Sequence, residues 1–224
     1  CATLADEWCR AGVTDAVVAP GSRSTPLALA LADQEGIVVH VHHDERAAAF
    51  AALGLGLASR RPAVVLTTSG TAAVELHPAV VEADLAGVPM IVATADRPPE
   101  LHEVGAPQTV DQQRLFGRAV RWYHAPGVAT ADQADTWRSL GSRSVAEAMA
   151  GPCGAGPVHL NLAFRDPLVG AAGPLPEPRS DGGPWHTVGG KRVTLDRAGT
   201  GRLAALLDAP RGVIVAGAGA GDPE

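Results

Sequence analysis

The residues best suited to chemistry stand in short turns that follow apolar runs. His42-His43-Asp44-Glu45-Arg46 follows Ile37–Val41 and offers two adjacent carboxylates and a guanidinium. A carboxyl group at the carboxyl end of a buried strand can move protons if desolvation raises its proton affinity, and Glu45 is the candidate. Pro20-Gly21-Ser22-Arg23-Ser24 follows Ala16–Ala19. Gly21 permits a tight turn there, Ser22 and Ser24 are candidate helix caps, and the backbone amides with Arg23 form an anion site. Thr67-Thr68-Ser69-Gly70-Thr71 presents hydroxyls and amides to an anion or a ring nitrogen. It contains no Gly-x-Ser-x-Gly elbow, so backbone contact is expected there rather than a nucleophilic serine. In Ala95-Asp96-Arg97-Pro98-Pro99-Glu100 the paired prolines fix where Arg97 leaves its strand, and Gly105-Ala106-Pro107-Gln108-Thr109 is a loop in which Gln108 offers an amide. Each has a plainer reading: a capped turn, a solvated charge run, or an Asp44–Glu45 pair stabilised by a helix dipole. His40, His42, His43 and Asp44 invite a metal, but no second ligand cluster stands at zinc-like spacing. Ordinary polar packing is expected of them, and no metal-binding residue is assigned.

Helical and strand patterns alternate around these turns. Helices are expected over Ala2–Ala11, Thr25–Gln34, Glu45–Ser59, Thr71–Leu85, Asp111–Phe116 and Ala131–Ala150. Strands are expected over Ala16–Ala19, Ile37–Val41, Ala63–Thr68, Met90–Ala95, Val120–His124 and Val158–Ala163. Strands separated by helices pair in parallel, so the fold class is α/β, an about six-stranded, mainly parallel sheet with helices on both faces. The expected organisation is a first domain over residues 1–168, a Pro/Gly-rich linker over 169–192, and the truncated start of a second α/β domain over 193–224. That last stretch reads as a helix (Arg197–Asp208) and a strand (Val213–Ala216), with Gly217-Ala218-Gly219-Ala220-Gly221 as a weak opening of a dinucleotide fingerprint.

Composition narrows the function classes. Hydrophobic residues make up 46% and charged residues 19% of the 224, an ordinary globular mix. With net charge −6 and no basic cluster, nucleic acid is an unexpected partner. No apolar run reaches membrane-spanning length. Cys1, Cys9 and Cys153 show no CxxC spacing, and with no secretory leader a reduced, cytoplasmic protein is expected. The chain opens on Cys1 rather than Met, so residues before it are expected.

Six segments, in order, resemble one family. They are Pro20–Leu27, His42–Arg46, Thr68–Ala72, Leu76-His77-Pro78-Ala79-Val80-Val81-Glu82-Ala83, Thr94–Leu101 and Gly105–Thr109. Over roughly residues 1–170 the chain is similar to the thiamine-diphosphate-dependent 2-succinyl-5-enolpyruvyl-6-hydroxy-3-cyclohexene-1-carboxylate synthases (MenD) of menaquinone biosynthesis. The Asp-Glu-Arg and Ser-Gly-Thr turns alone suggest only the wider thiamine-enzyme superfamily; the Ser-Arg-Ser and Ala-Asp-Arg-Pro-Pro-Glu segments narrow it. The resemblance implies a pyrimidine-binding (PYR) domain over 1–168, with thiamine diphosphate as cofactor. It makes Glu45 the catalytic acid that hydrogen-bonds N1′ of the aminopyrimidine so that the thiazolium C2 can be ionised. Pro20, Gly21, Ser69, Gly70 and Thr71 then contact the cofactor, and Ser22, Arg23, Arg97 and Gln108 contact substrate. It implies that 2-oxoglutarate is decarboxylated and the resulting succinyl-semialdehyde carbanion is added to isochorismate. Both substrates carry carboxylates, which guanidinium groups bind bidentately.

The chain departs from the family in two ways. Pro107 stands where an Asn often precedes the Gln, and the Gly-Asp-Gly…Asn motif that binds Mg2+ or Mn2+ and diphosphate is not found. Family active sites form between domains of two subunits. A homo-oligomer, dimer or tetramer, is therefore implied, with this chain holding half of each site and inactive alone. Two alternatives stay open: another thiamine carboligase, such as an acetohydroxyacid synthase or a 2-oxo-acid decarboxylase, and a non-catalytic α/β module that binds an anion or a partner.

Overall fold

A computed structural model describes residues 1–189, 194–213, 215 and 217. The chain divides into two compact units, Cys1–Val188 and Gly189–Glu224.

The first unit is built on one six-stranded, fully parallel sheet. Its strands are β1 (Asp15–Val18), β2 (Val38–Val41), β3 (Ala63–Thr67), β4 (Met90–Asp96), β5 (Trp122–Val128) and β6 (Pro157–Ala163), in the order β2-β1-β3-β4-β6-β5. The inner strands β3 and β4 are buried along their whole length, as a parallel sheet covered on both faces requires. Side-chain alternation divides β1, β3 and β4 between two cores, while β6 turns its apolar side chains to the first. Ala16, Val18, Val64, Leu66, Ile91, Ala93, Val158 and Leu160 meet α1 (Ala2–Arg10), α2 (Thr25–Ala32) and α6 (Thr136–Ala150) through Leu4, Trp8, Leu27, Leu31, Leu140 and Val145. Val17, Val65, Met90 and Val92 face α3 (Glu45–Ser59) and α5 (His77–Ala86) through Ala48, Ala52, Leu76, Ala79, Val80 and Ala83. Helices therefore cover both faces, as alternation in the sequence requires. The short α4 (Thr71–Val74) precedes α5.

Several boundaries differ from the sequence expectation. The helix expected over Thr71–Leu85 is divided at Glu75-Leu76, and Pro78 stands in the first turn of α5. The helix expected over Asp111–Phe116 does not form. The Asp111 carboxylate accepts from the Gln113 amide at 2.9 Å, Arg114 takes a positive φ of 52°, and the segment runs as turns. Residues 131–133 form a 3-10 turn ahead of α6, so the helix expected from Ala131 starts at Thr136. In β5 the register shifts between His124 and Gly127, around Pro126, which has no N–H for the ladder and is tolerated on this edge strand.

After β6 the Pro/Gly-rich segment forms no helix or strand through residue 188. It is pinned to α1 and α6. Arg138 donates to the Pro176 carbonyl at 2.9 and 2.6 Å, Arg10 to the Gly182 carbonyl at 3.0 Å, and Trp185 N–H to Glu7 at 2.7 Å.

In the second unit α7 spans Arg197–Leu207, and the Asp196 carboxylate caps it by accepting from Gly199 N–H at 2.6 Å. The strand expected over Val213–Ala216 lies partly outside the described residues; Val213 and Val215 carry no strand structure and are exposed. Of the glycine-rich run at 217–221 only Gly217 is described.

Candidate active site

The exits of β1 and β3 lead in opposite directions across the sheet, so a switch point lies between them. Crevices in open α/β sheets lie beyond the carboxyl ends of strands at such switch points. Every turn singled out in the sequence lies at that edge. The pairing extends past the strand ends: His42 N–H donates to the Val18 carbonyl at 3.0 Å and Ala19 N–H to the Leu66 carbonyl at 2.9 Å. The turns after β2, β1 and β3 are thereby set side by side.

Gly21 joins two of these turns, although not by the route expected. Its φ of −167° is extended backbone that any residue adopts. Glycine is required because a Cβ there would meet Thr68 Cβ at 2.4 Å and its Cγ2 at 2.7 Å. The expected caps also differ. Ser22 is exposed, and Ser24 and Thr25 donate their hydroxyls back to the Gly21 carbonyl at 3.0 and 3.3 Å, so no side chain caps α2. Gly70 needs glycine on two grounds: φ is +80°, and an added Cβ would meet Gln108 Cγ at 2.9 Å.

The two arginines come from strands separated by β3, yet they share a neighbourhood: Arg23 donates to the Phe164 carbonyl, and Phe164 N–H donates to the carbonyl of Asp96, the residue before Arg97. Arg97 donates to Ser69 Oγ, which passes its own proton to the Gln108 carbonyl at 3.0 Å. Burial first, then the neighbouring Arg23 cation, lowers the Arg97 pKa below the ordinary guanidinium value; Asp96 and Asp166 oppose that shift. Arg23 is 12% exposed, and its Nη1 donates to the Phe164 carbonyl at 3.0 Å and to Asp166 at 3.2 Å. Its Nε is buried with no partner. A desolvated guanidinium N–H without an acceptor, beside a second cation, fits a carboxylate.

Asp44 and Glu45 part company at the start of α3. Asp44 is the N-cap, and its Oδ1 accepts from Ala47 N–H at 2.7 Å. Glu45 is the first helical residue and is half-buried, and among the described residues nothing pairs with its carboxylate. An unpaired carboxyl group can exchange a proton with a ring nitrogen, and among the described residues no internal partner competes for it.

The remaining candidates divide. Ser69 and Gly70 are buried in the turn after β3, whereas Pro20, Thr71 and Gln108 are exposed. Gln108 has φ of +56° and contributes its carbonyl and its Cγ to the turn. His40 Nε2 pairs with Asp15 at 2.8 Å, the ordinary polar packing expected of it. Among the described residues no three His, Cys, Asp or Glu side chains cluster to hold a metal ion. All three cysteines are free thiols. No described helix is long and apolar enough to cross a membrane.

A buried polar network beneath the arginines was not foreseen. Asn161 Oδ1 accepts from Thr94 Oγ1 and from Gln112 Nε2, both at 2.8 Å, and Asn161 Nδ2 donates to Asp96 at 2.7 Å. Because the Thr94 proton goes to Asn161, His159 Nε2, 2.8 Å from Thr94 Oγ1, must carry the ring proton. Its Nδ1 is then a bare acceptor, buried without a partner. Burial lowers the His159 pKa to about 3, so the ring is neutral. A signal existed: His159 and Asn161 alternate with Val158, Leu160 and Leu162, and a polar residue in a buried strand must find a partner. For Gln112 no local feature separates it from Gln113. At the surface, Arg165 donates to Glu100 at 2.9 Å, joining the exits of β4 and β6 and holding the Glu100 pKa down at about 2.

Comparison with known proteins adds to this geometry. Residues 2–115 match the family model described as the thiamine pyrophosphate enzyme, N-terminal TPP binding domain. Three similar proteins each bear the name 2-succinyl-5-enolpyruvyl-6-hydroxy-3-cyclohexene-1-carboxylate synthase. The one from Thermobifida fusca is 53% identical over 222 residues, 98% of this chain and 40% of that protein. The one from Geobacillus kaustophilus is 47% identical over 191 residues, 84% of this chain and 31% of that protein. The one from Chloroflexus aurantiacus is 48% identical over 219 residues, 96% of this chain and 37% of that protein. The chain thus spans less than half the length of these relatives.

Proposed function

The chain belongs to the thiamine pyrophosphate enzyme family, and from that premise we propose that it supplies the pyrimidine-side half of the active site of a 2-oxoglutarate-decarboxylating synthase that uses isochorismate as acceptor. The observation that carries the reading is the convergence of Arg23, with its buried and partnerless Nε, and Arg97 through Phe164 and Asp96 at the sheet edge where the unpaired Glu45 carboxylate stands. Two partly buried guanidiniums whose charges oppose each other are an unfavourable arrangement that an anionic substrate relieves. Both proposed substrates carry carboxylates.

Thiamine diphosphate, when bound, supplies an electron sink at its thiazolium C2. Glu45 would share a proton with N1′ of the aminopyrimidine from the first residue of α3, where among the described residues no other group pairs with its carboxyl. The turns containing Pro20, Gly21, Ser69, Gly70 and Thr71 would hold the ring through their backbone. The close approach of Gly21 to Thr68 keeps two of these turns in contact. Arg23 offers its free Nε, with Nη1 already anchored by Phe164 and Asp166, and Arg97 is held by Ser69. Ser22, exposed beside Arg23, and Gln108 beside Gly70 complete the polar lining. The divalent ion implied by the family, Mg2+ or Mn2+, has no donor cluster among the described residues, and no step is assigned to it. A homo-oligomer follows from the same reading, with the apolar outer face of α3, where Phe50 and Leu57 are exposed, as a surface for a second copy.

The test uses the full-length protein that carries this sequence. With thiamine diphosphate and Mg2+ it should consume 2-oxoglutarate with isochorismate and ignore pyruvate. Glu45→Gln should lower turnover by about 10²- to 10⁴-fold, the span of a general acid–base contribution. Pyruvate accepted in place of 2-oxoglutarate, or wild-type turnover in Glu45→Gln, would overturn the reading.

A further inference from the structure

We infer that Gln112 and Asn161 are positioning residues for Arg97: a buried carboxamide pair fixes the direction from which that guanidinium meets a substrate carboxylate. The inference rests on the carboxylate-binding role proposed above. Gln112 is 1% exposed and uses its whole carboxamide inside the fold. Its Oε1 accepts from Gly70 N–H at 2.8 Å, and its Nε2 donates to Asn161 Oδ1 at 2.8 Å and to the Ala95 carbonyl at 3.1 Å. One side chain thereby ties the turn after β3 to the ends of β4 and β6.

Two paths lead from it to Arg97. Along the first, Asn161 donates to Asp96 at 2.7 Å, and the other Asp96 oxygen accepts from the Arg97 backbone N–H at 2.8 Å. His102 Nε2 donates to the Arg97 carbonyl at 2.9 Å, so the backbone is bracketed on both sides. Along the second, Gln112 holds Gly70, whose neighbour Ser69 accepts from the Arg97 guanidinium. Both the root and the tip of the Arg97 side chain are therefore referred to Gln112. An apolar core would close the sheet here at a lower desolvation cost. The network instead runs outward and ends on the backbone and the charged tip of one residue, which is what aiming that residue requires. It belongs to the elements that hold the site, in the manner of supporting shells around binding groups.

Gln112→Glu in the full-length protein with its cofactor tests this. The introduced carboxylate can accept from Gly70 but has no proton for Ala95 or Asn161; protonated, it regains one donor, and burial favours that neutral form. At about pH 8 the KM for 2-oxoglutarate should rise about 10- to 100-fold with kcat within about threefold, the loss of about one hydrogen bond to a charged group. The KM should recover toward wild type at about pH 6, while Gln112→Leu stays weak at both. A readout free of turnover is the rise in melting temperature caused by succinate, a dicarboxylate that cannot be decarboxylated. It should be present in wild type, and in Gln112→Glu at the lower pH only. Should Gln112→Glu not fold, Asn161→Asp, which removes the donor to Asp96, is read in the same way. Equal KM values and equal succinate shifts in variant and wild type at the higher pH would overturn the inference, as would a loss confined to kcat. A wild type that fails to turn over 2-oxoglutarate would instead overturn the proposed function, and the succinate shifts would still report on Gln112.

Discussion

Gly21→Ala tests whether the candidate site depends on the contact between the turns after β1 and β3. A Cβ at this position stands 2.4 Å from Thr68 Cβ, 2.7 Å from its Cγ2 and 2.9 Å from its Oγ1. Ordinary carbon contacts lie near 3.5 Å, so the two turns must part by ~1 Å. The nearest atom is a Cβ fixed to its backbone, so no rotamer change removes the clash. Overpacking of this kind costs about 1–3 kcal/mol. In a domain of this size that lowers Tm by about 2–12 °C. The same displacement moves Arg23 relative to Ser69 and Arg97, and a shift of ~1 Å among binding groups can cost about 10²-fold in rate. The assay pairs thermal unfolding with kcat/KM for 2-oxoglutarate in the full-length protein. Thr68→Gly on the Gly21→Ala background removes all three clashing atoms and should return most of both losses. Thr68→Gly alone should cost about 1 kcal/mol through added backbone freedom. Wild-type stability and activity in Gly21→Ala, or no recovery in the double variant, would refute the steric account.

Three further outcomes follow from the packing. His159 is neutral when folded and ordinary when unfolded, so the unfolded chain binds the extra proton as pH falls below 6.5. Its depressed pKa therefore removes stability in acid, by about 2 kcal/mol between about pH 6.5 and 5. Urea unfolding of His159→Gln should show a correspondingly flatter pH slope, and identical slopes would contradict the assignment. Arg138, 2% exposed, pairs with Asp6 at 2.7 Å and with Glu7, 0% exposed, at 3.1 Å. Arg138→Met leaves the buried Glu7 without its cation and should cost about 3–5 kcal/mol in urea unfolding, partly returned by adding Glu7→Gln; a loss under about 1 kcal/mol would dismiss the pair as a stabilising element. If the outer face of α3 receives a second copy, Phe50→Glu with Leu57→Glu should reduce the sedimentation mass of the full-length protein, and an unchanged mass would place the interface elsewhere.

The sequence alone determined the layer order and the edge where chemistry belongs. Apolar runs such as Val64–Leu66 and Ile91–Ala93 are too short for helices and too apolar for one-sided strands, so they had to be buried parallel strands. The turns of Arg23, Ser69 and Arg97 follow such runs. The turn of Glu45, expected after a buried strand, follows β2, an edge strand with Val38 and Val41 exposed because among the described residues no further strand or helix covers that edge. All four residues were legible by type as candidates. Local pattern misjudged Asp111–Phe116, where the Asp111 side chain takes the Gln113 amide that a helix would need. The reason Gly21 must be glycine was also hidden, because its φ is unremarkable and the constraint is Thr68, a residue on another strand's turn. Only the tertiary structure decided which polar groups meet. Gln112 is indistinguishable from Gln113 in sequence, yet the turn it sits in faces it toward Gly70 and Asn161 and leaves Gln113 to Tyr123. Periodicity along a chain specifies which face a side chain occupies; the strand order, which carries β4 beside β6 across more than sixty residues of sequence, decides what it finds there.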